Sequence, residues 1–221
     1  MSKHFSVWND RWDIAHPGDV DESINFAAEH FINCAKEAIR SHNYFAVALS
    51  GGSTPKAIFK IISSAPMSSQ IDWSKVYLFW GDERNVPPQH SDSNFRMAMD
   101  SGLKSLSISP ENVFRMKAES DIQKNAQIYE SKIIERLGSH SFDLVMLGMG
   151  DDGHTASLFP KTEALKEKTA LVVANKVPQK NTTRMTLTYP CINRGANIVI
   201  YVLGKNKANM LSKIFLEQNT P

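Results

Sequence analysis

The chain has 221 residues, 42% of them apolar and 22% charged, which suits one large domain or two small ones of ordinary globular composition. With 25 basic against 23 acidic side chains the formal net charge is +2, too weak a field to argue for nucleic acid or an anionic membrane as partner, so an anionic ligand must be met locally. The opening MSKHFSVWNDRWD is too charged for a secretory signal, no run approaches the roughly 18 apolar residues of a membrane span, and Cys34 and Cys191 form no metal-spaced or redox pair; a reducing cytoplasm is the expected location.

Taken in chain order, Val20, Ile24, Ala27, Phe31, Ala35 and Ile39 form a helical stripe. YFAVALS (44–50) follows as a buried strand, then SGGSTP (50–55) as a turn into a helix that Pro55 can open. SSAPMSSQ (63–70) is expected to be a loop inside the domain. VYLFW (76–80) is a second strand, GDERNVPP (81–88) a loop after it, and SDSNFRMAMDSGL (91–103) a capped amphipathic helix with Asn94 at its entrance. Ile122, Ala126, Tyr129, Ile133 and Leu137 make another helical stripe before a third strand, FDLVMLGMG (142–150). ALVV (170–173) and RMTLTYP (184–190) are extra strands, the second ended by Pro190. NIVIYVLG (197–204) is the fourth strong strand, and KNKANMLSKIFLE (205–217) a closing helix. Near-continuous apolar strands alternating with helices predict an α/β fold: a three-layer α/β/α sandwich with a mostly parallel, Rossmann-like sheet. In such sheets ligands lie beyond the carboxyl ends of the strands, so the loops after residues 50, 80, 150 and 204 are the places to look for chemistry.

In the first loop, Gly51 and Gly52 allow close backbone approach, and the amides of Ser53 and Thr54 at a helix start suit a phosphate. A tight turn with Ser or Thr capping the helix is the alternative. The loop lacks the Gly-Lys-Ser/Thr ending of a nucleotide P-loop, which favours a monophosphate over ATP. The second loop sets Asp82, Glu83 and Arg84 directly after a strand; Arg84 can clamp an anion and Asp82 can position a hydroxyl or an imidazole, although a salt-bridged loop would also account for them.

GMGDDG (148–153) matches the dinucleotide pattern G-x-G-x-x-G after a strand, but Asp151 and Asp152 would face a pyrophosphate with negative charge, and no acid ends the next strand to hold a ribose. The better reading is a glycine turn exposing His154 at the sheet edge, with an acid near enough to fix its tautomer and Thr155 and Ser157 as further polar contacts; a neutral imidazole there can take a proton from water. The other histidines, at positions 4, 16, 30, 42, 90 and 140, have no comparable setting. Lys207, in the first turn of a helix, opposes the helix dipole unless an anion offsets it, and Arg184 is a second cation that can reach the same anion or sit on a strand surface. No H-x-x-x-H or cysteine-rich set calls for a metal, and neither Ser53 nor Ser157 lies in G-x-S-x-G, so attack by water is the simpler chemistry.

SGGSTP, WGDERNVPP followed by SDSN, FDLVMLGMGDDGHTASLFP, RMTLTYPCIN and VLGKNKA together, in this order, resemble the 6-phosphogluconolactonase family from about residue 20 to 217. GDDGHTASLFP with WGDER is specific to that family, whereas SGGSTP and GKNKA are shared with the wider superfamily of sugar-phosphate isomerases and deaminases. The resemblance implies a single lactonase domain over 1–221 that hydrolyses 6-phospho-D-glucono-1,5-lactone without metal, nucleotide or other cofactor. It further implies His154 as general base, Asp82 and Asp152 orienting base and sugar hydroxyls, and Gly51, Gly52, Ser53, Arg84, Arg184 and Lys207 holding phosphate or oxyanion. The partner is a phosphorylated lactone, with no nucleic acid or membrane, and the protein is a monomer or homodimer. The family usually continues past the helix ending near Glu217, whereas this sequence stops at Pro221, so either a short member or a truncated chain is expected. A glucosamine-6-phosphate deaminase would carry a GHIAFNEP-like segment where GHTASLFP stands, and a sugar-phosphate-binding regulator would carry a basic helix-turn-helix segment, which does not precede residue 20.

Overall fold

Strands buried on both faces need apolar residues at every position rather than alternation, and three stretches meet that demand: β3 (Phe45–Leu49), β4 (Val76–Trp80) and β7 (Leu144–Gly148). In the computed structural model, which describes residues 5–9 and 12–216, they form the centre of a five-stranded parallel sheet. β6 (Val113–Phe114) lies at one edge and β10 (Ile198–Tyr201) at the other, in the order β10-β7-β3-β4-β6. A hairpin of β1 (Phe5–Asn9) and β2 (Trp12–Ala15) precedes this sheet. The predictions at His4 and at Glu217 to Pro221 lie outside the described residues.

Parallel register fixes which face each side chain meets, because paired residues point the same way. Phe45, Val47 and Leu49 pair with Val76, Leu78 and Trp80. On that face α1 (Val20–His42) sets Phe31 edge-on to Phe45 at 5.2 Å, and α3 (Asn94–Asp100) sets Phe95 against Trp80, also at 5.2 Å. α2 (Ser53–Ile62) packs beside α1 and carries its own buried stripe, Ile58, Phe59 and Ile62. Tyr77 and Phe79 take the opposite face, where α4 (Ile122–Leu137) places the Arg136 guanidinium 4.1 Å from the Tyr77 ring centre and Tyr129 6.1 Å from Phe79. The buried Tyr129 hydroxyl also donates to the Phe114 carbonyl and accepts from the Trp80 amide, which ties α4 to β4 and β6. Helices therefore cover both faces, as the alternation predicts. Sequential strands run outward from β3 through β4 to β6 on one side and through β7 to β10 on the other. The order reverses between β3 and β7, and such a switch point opens a crevice at the carboxyl ends of the strands.

Four details differ from the sequence reading. Asp82, Glu83 and Arg84 are not loop residues but a short strand, β5 (Asp82–Arg84). Gly81 hands the chain over to it, donating to Leu49 of the parallel sheet and accepting from Leu187 of the next, both at 2.8 Å. The expected extra strands are β8 (Val172–Val177) and β9 (Thr182–Leu187), which join β5 in a separate antiparallel sheet of order β5-β9-β8. Pro190 does not end β9; Thr188 caps a short helix, α5 (Tyr189–Ile192), in whose first turn Pro190 sits. The closing helix is a single 3-10 turn, Lys205–Lys207, leading into α6 (Ala208–Leu216).

Candidate active site

The loop after β7 has two glycines with different duties. A Cβ at Gly150 would overlap the His154 ring, so the ring can lie over the backbone only because residue 150 has no side chain; Gly153 adopts φ +84°, a left-handed value open to glycine at little cost. The turn closes through the Gly150 amide donating to the His154 carbonyl at 2.8 Å and the Gly153 amide donating to the Gly150 carbonyl at 3.1 Å. His154 is thereby turned back towards Asp152, whose Oδ1 lies 2.5 Å from its Nδ1, and its ring stacks on Phe159 with centroids 3.8 Å apart and planes at 22°. Burial pushes the Asp152 carboxyl upward, but hydrogen bonds from the His154 ring and amide outweigh it, so the carboxyl sits below its ordinary range. An ionised acid on Nδ1 fixes the tautomer and leaves Nε2 as the nitrogen available to a water. The acid foreseen near His154 is thus Asp152.

Asp82 is elsewhere. It is 6% exposed, its Oδ2 accepts from Ser157 Oγ at 2.6 Å, and its Oδ1 accepts from Asn94 Nδ2 at 3.1 Å. Ser157 is fully buried, and its amide donates to Thr186 Oγ1 at 3.1 Å. The hydroxyl that the sequence suggests as a ligand contact therefore holds Asp82 instead.

Arg84 and Arg184 are cross-strand partners in the β5–β9 register, and residues so paired project from the same face. Burial, and then the charge of Arg84, pull the Arg184 guanidinium below the ordinary arginine range, with Asp82, Glu83 and Asp92 opposing. Among the described residues neither arginine has a carboxylate within ion-pair distance. Arg84 Nη1 donates only to the Asp92 carbonyl, at 3.2 Å, and its buried Nε has no partner. Two adjacent, unneutralised guanidinium groups favour an anion between them.

At the start of α2 the cap position is Gly52, at φ +106°, with no side-chain hydrogen bond. The Ser or Thr capping alternative is not realised, and the amides of Ser53 and Thr54 are left for an outside acceptor. Lys207 lies in the 3-10 turn before α6, where Asp151 Oδ1 is 2.6 Å from its Nζ, so a carboxylate of the His154 loop offsets the unfavourable dipole. Hydrogen bonding from Lys207 and its charge hold the Asp151 carboxyl below its ordinary range. Gly153 meets Met210 of α6 on the same side, since a Cβ there would come within 3.2 Å of its sulfur.

Three residues take roles that the sequence alone does not assign to them. Glu83 accepts at Oε1 from the Asn94 amide at 2.8 Å and at Oε2 from the Phe95 amide at 2.9 Å and Ser93 Oγ at 3.0 Å, anchoring the start of α3. Asn94, foreseen only as a helix entrance, reaches Asp82. Phe159 supplies the platform under His154. Only GDER, SDSN and LFP in the sequence hinted at these roles.

A family model described as glucosamine-6-phosphate isomerases/6-phosphogluconolactonase matches residues 18–221. A 6-phosphogluconolactonase of Chlamydia pneumoniae is 45% identical over 195 residues, covering 88% of this chain and 74% of its own length. One from Synechocystis sp. is 40% identical over 192 residues, covering 84% of this chain and 77% of its own. The solved structure of 6-phosphogluconolactonase from Trypanosoma cruzi superposes with a TM-score of 0.82 at 28% identity, covering 92% of this chain and 84% of that one. With the β7 turn, the strand order and these likenesses in agreement, the chain belongs to the glucosamine-6-phosphate isomerase/6-phosphogluconolactonase family.

Proposed function

We propose that this protein hydrolyses 6-phospho-D-glucono-1,5-lactone to 6-phospho-D-gluconate, the hydrolytic step of the oxidative pentose phosphate pathway. The observation that carries the reading is the His154–Asp152 pair, a carboxylate 2.5 Å from Nδ1 on a glycine turn beside the sheet's switch point. His154 Nε2 removes a proton from water as the oxygen attacks the lactone carbonyl carbon. The tetrahedral intermediate collapses by breaking the bond from that carbon to the ring oxygen, and protonated His154 returns the proton to the departing oxygen. Asp152 steadies the imidazolium that exists between these two transfers. Written this way the reaction balances with water alone and calls on neither metal nor nucleotide.

Arg84, Arg184, Lys207 and the amides beyond Gly51 and Gly52 form the cationic and N–H-rich side of the site, suited to the phosphate and to the developing oxyanion. Asp82 faces the sugar hydroxyls as an acceptor. Gly51, Gly52, His154 and Lys207 follow the carboxyl ends of β3, β7 and β10, and Asp82, Arg84 and Arg184 lie on β5 and β9. We read residues 1–221 as one functional domain, working in the cytoplasm as a monomer or homodimer with the phosphorylated lactone as its partner. Among the described residues no helix is long and apolar enough to cross a membrane.

The test is to generate the lactone in situ from glucose 6-phosphate at mildly acidic pH and follow its decay by NMR with and without protein, alongside ammonia release from glucosamine 6-phosphate. Faster lactone decay without ammonia supports the reading. Background decay with folded protein, or ammonia release, overturns it.

A further inference from the structure

Asp82 is a buried carboxylate that no cation touches within ion-pair distance among the described residues. Two neutral donors hold it instead: Ser157 Oγ on Oδ2 and Asn94 Nδ2 on Oδ1. The Asn94 contact is the more demanding, because the same Nδ2 also donates to the Asp82 peptide oxygen at 2.9 Å, fixing backbone and carboxylate together. On its other side the Asn94 carboxamide lies where a Cβ of Gly51 would be, so the first turn of the candidate phosphate loop rests directly on it. Asn94 is 3% exposed, and its amide is tied to Glu83 Oε1 at 2.8 Å. One buried side chain therefore touches both the segment leaving β3 and the segment leaving β4.

We propose that Asn94 is a positioning residue for the hydrolysis: its carboxamide sets the direction of the Asp82 carboxylate and the seat of the Gly51–Gly52 turn at once. The proposal rests on the lactonase reading above and on Asp82 meeting the substrate. An amide suits the task because it orients a carboxylate without neutralising it, leaving the negative charge to accept from substrate hydroxyls. A cation at this position would bind the carboxylate more strongly and blunt it. An aliphatic side chain would leave two buried acceptors without a donor.

The coupling makes a specific kinetic signature. Asn94→Asp keeps the size and shape of the side chain but sets acceptor against acceptor, two carboxyl groups that share a proton only when the pH falls. It lowers kcat by about 10- to 100-fold, the scale of an ångström-level misplacement, and raises KM through the displaced Gly51–Gly52 turn. Part of the loss returns towards acidic pH, where a shared proton restores a donor between residues 82 and 94. Asn94→Ala loses kcat and KM without that acid recovery.

The experiment measures steady-state lactone hydrolysis over a pH series for the wild type, Asn94→Asp, Asn94→Ala and Asp82→Asn, with folding checked by circular dichroism and thermal melting. The expected result is an active wild type, an impaired Asp82→Asn and the split just described for the two Asn94 variants. If Asn94→Ala does not fold, the isosteric Asn94→Asp decides alone. Folded Asn94→Asp with the kcat, KM and pH profile of the wild type, whatever its melting temperature, reduces Asn94 to a structural part and overturns the proposal while the lactonase reading stands. An unimpaired Asp82→Asn overturns it by removing the group through which Asn94 acts. An inactive wild type overturns both readings.

Discussion

Replacing Asp152 with Asn removes one charge from the site and little else. In the wild type Asp152 Oδ1 accepts from the His154 ring and, at 3.3 Å, from the His154 amide. Asn retains an oxygen of the same reach but cannot balance the imidazolium that the proposed mechanism forms as water loses its proton. A hydrogen bond to a charged partner contributes about 1.5–3 kcal/mol, and about 1.4 kcal/mol corresponds to tenfold in rate, so the change costs about 10- to 150-fold in turnover. The Asp152 side chain is 45% exposed, and solvent screening places the loss at the lower end, about 10- to 30-fold. Phe159 still carries the ring, with centroids 3.8 Å apart, so substrate capture is preserved and KM changes by less than about threefold. Initial rates of lactone hydrolysis at several substrate concentrations give both constants. A folded Asp152→Asn protein with kcat within twofold of the wild type would show that the carboxylate does not support His154 in the rate-limiting step.

Other consequences follow from groups around the site and away from it. Ser157→Ala leaves the buried Asp82 Oδ2 without its 2.6 Å donor and lowers unfolding free energy by about 1–3 kcal/mol, readable as a shifted urea midpoint; an unchanged midpoint contradicts the inferred bond. Glu167 accepts from the amides of Thr169, Ala170 and Lys168 and from the Thr169 hydroxyl, which lowers its carboxyl from 4.5 to about 2. A carboxyl depressed on folding stabilises the protein above its unfolded pKa, and that contribution is lost as pH falls through the folded value. Glu167→Gln should therefore lessen the fall in Tm between pH 4.5 and about 2, and a melt series identical to the wild type would rule this out. Burial, then Glu37 and Asp143, raises the Cys34 thiol to about 11, and burial raises Cys191 to about 12. Both should alkylate at least about 100-fold more slowly in the native protein than in urea at mildly alkaline pH; rapid native labelling followed by mass spectrometry would contradict that burial.

Legibility in the sequence followed the range of the interactions. β3, β4 and β7 are legible because a strand covered on both faces is apolar throughout, and α1 and α4 because one helical face repeats. β6 has two residues and β5 three, too few for any period, and partners distant in the chain hold them in place. β8 and β9 are recognisable as strands, but nothing local distinguishes a strand that extends the parallel sheet from one that pairs in a separate sheet. At the site, Asp152 and His154 are two residues apart and one turn explains them. Asp82 meets Asn94 across 12 positions and Ser157 across 75, contacts made by the fold alone. Lys207 is legible as a cation near the sheet edge, whereas its partner Asp151, 56 positions away, is not.

The most direct measurement is the NMR decay of 6-phosphogluconolactone, formed in situ at mildly acidic pH, compared with no protein, with the wild type and with His154→Ala verified as folded. Accelerated decay with the wild type that falls to within a few-fold of the spontaneous rate in the variant is the predicted result. Equal acceleration by His154→Ala and wild type would contradict His154 as the base that activates water.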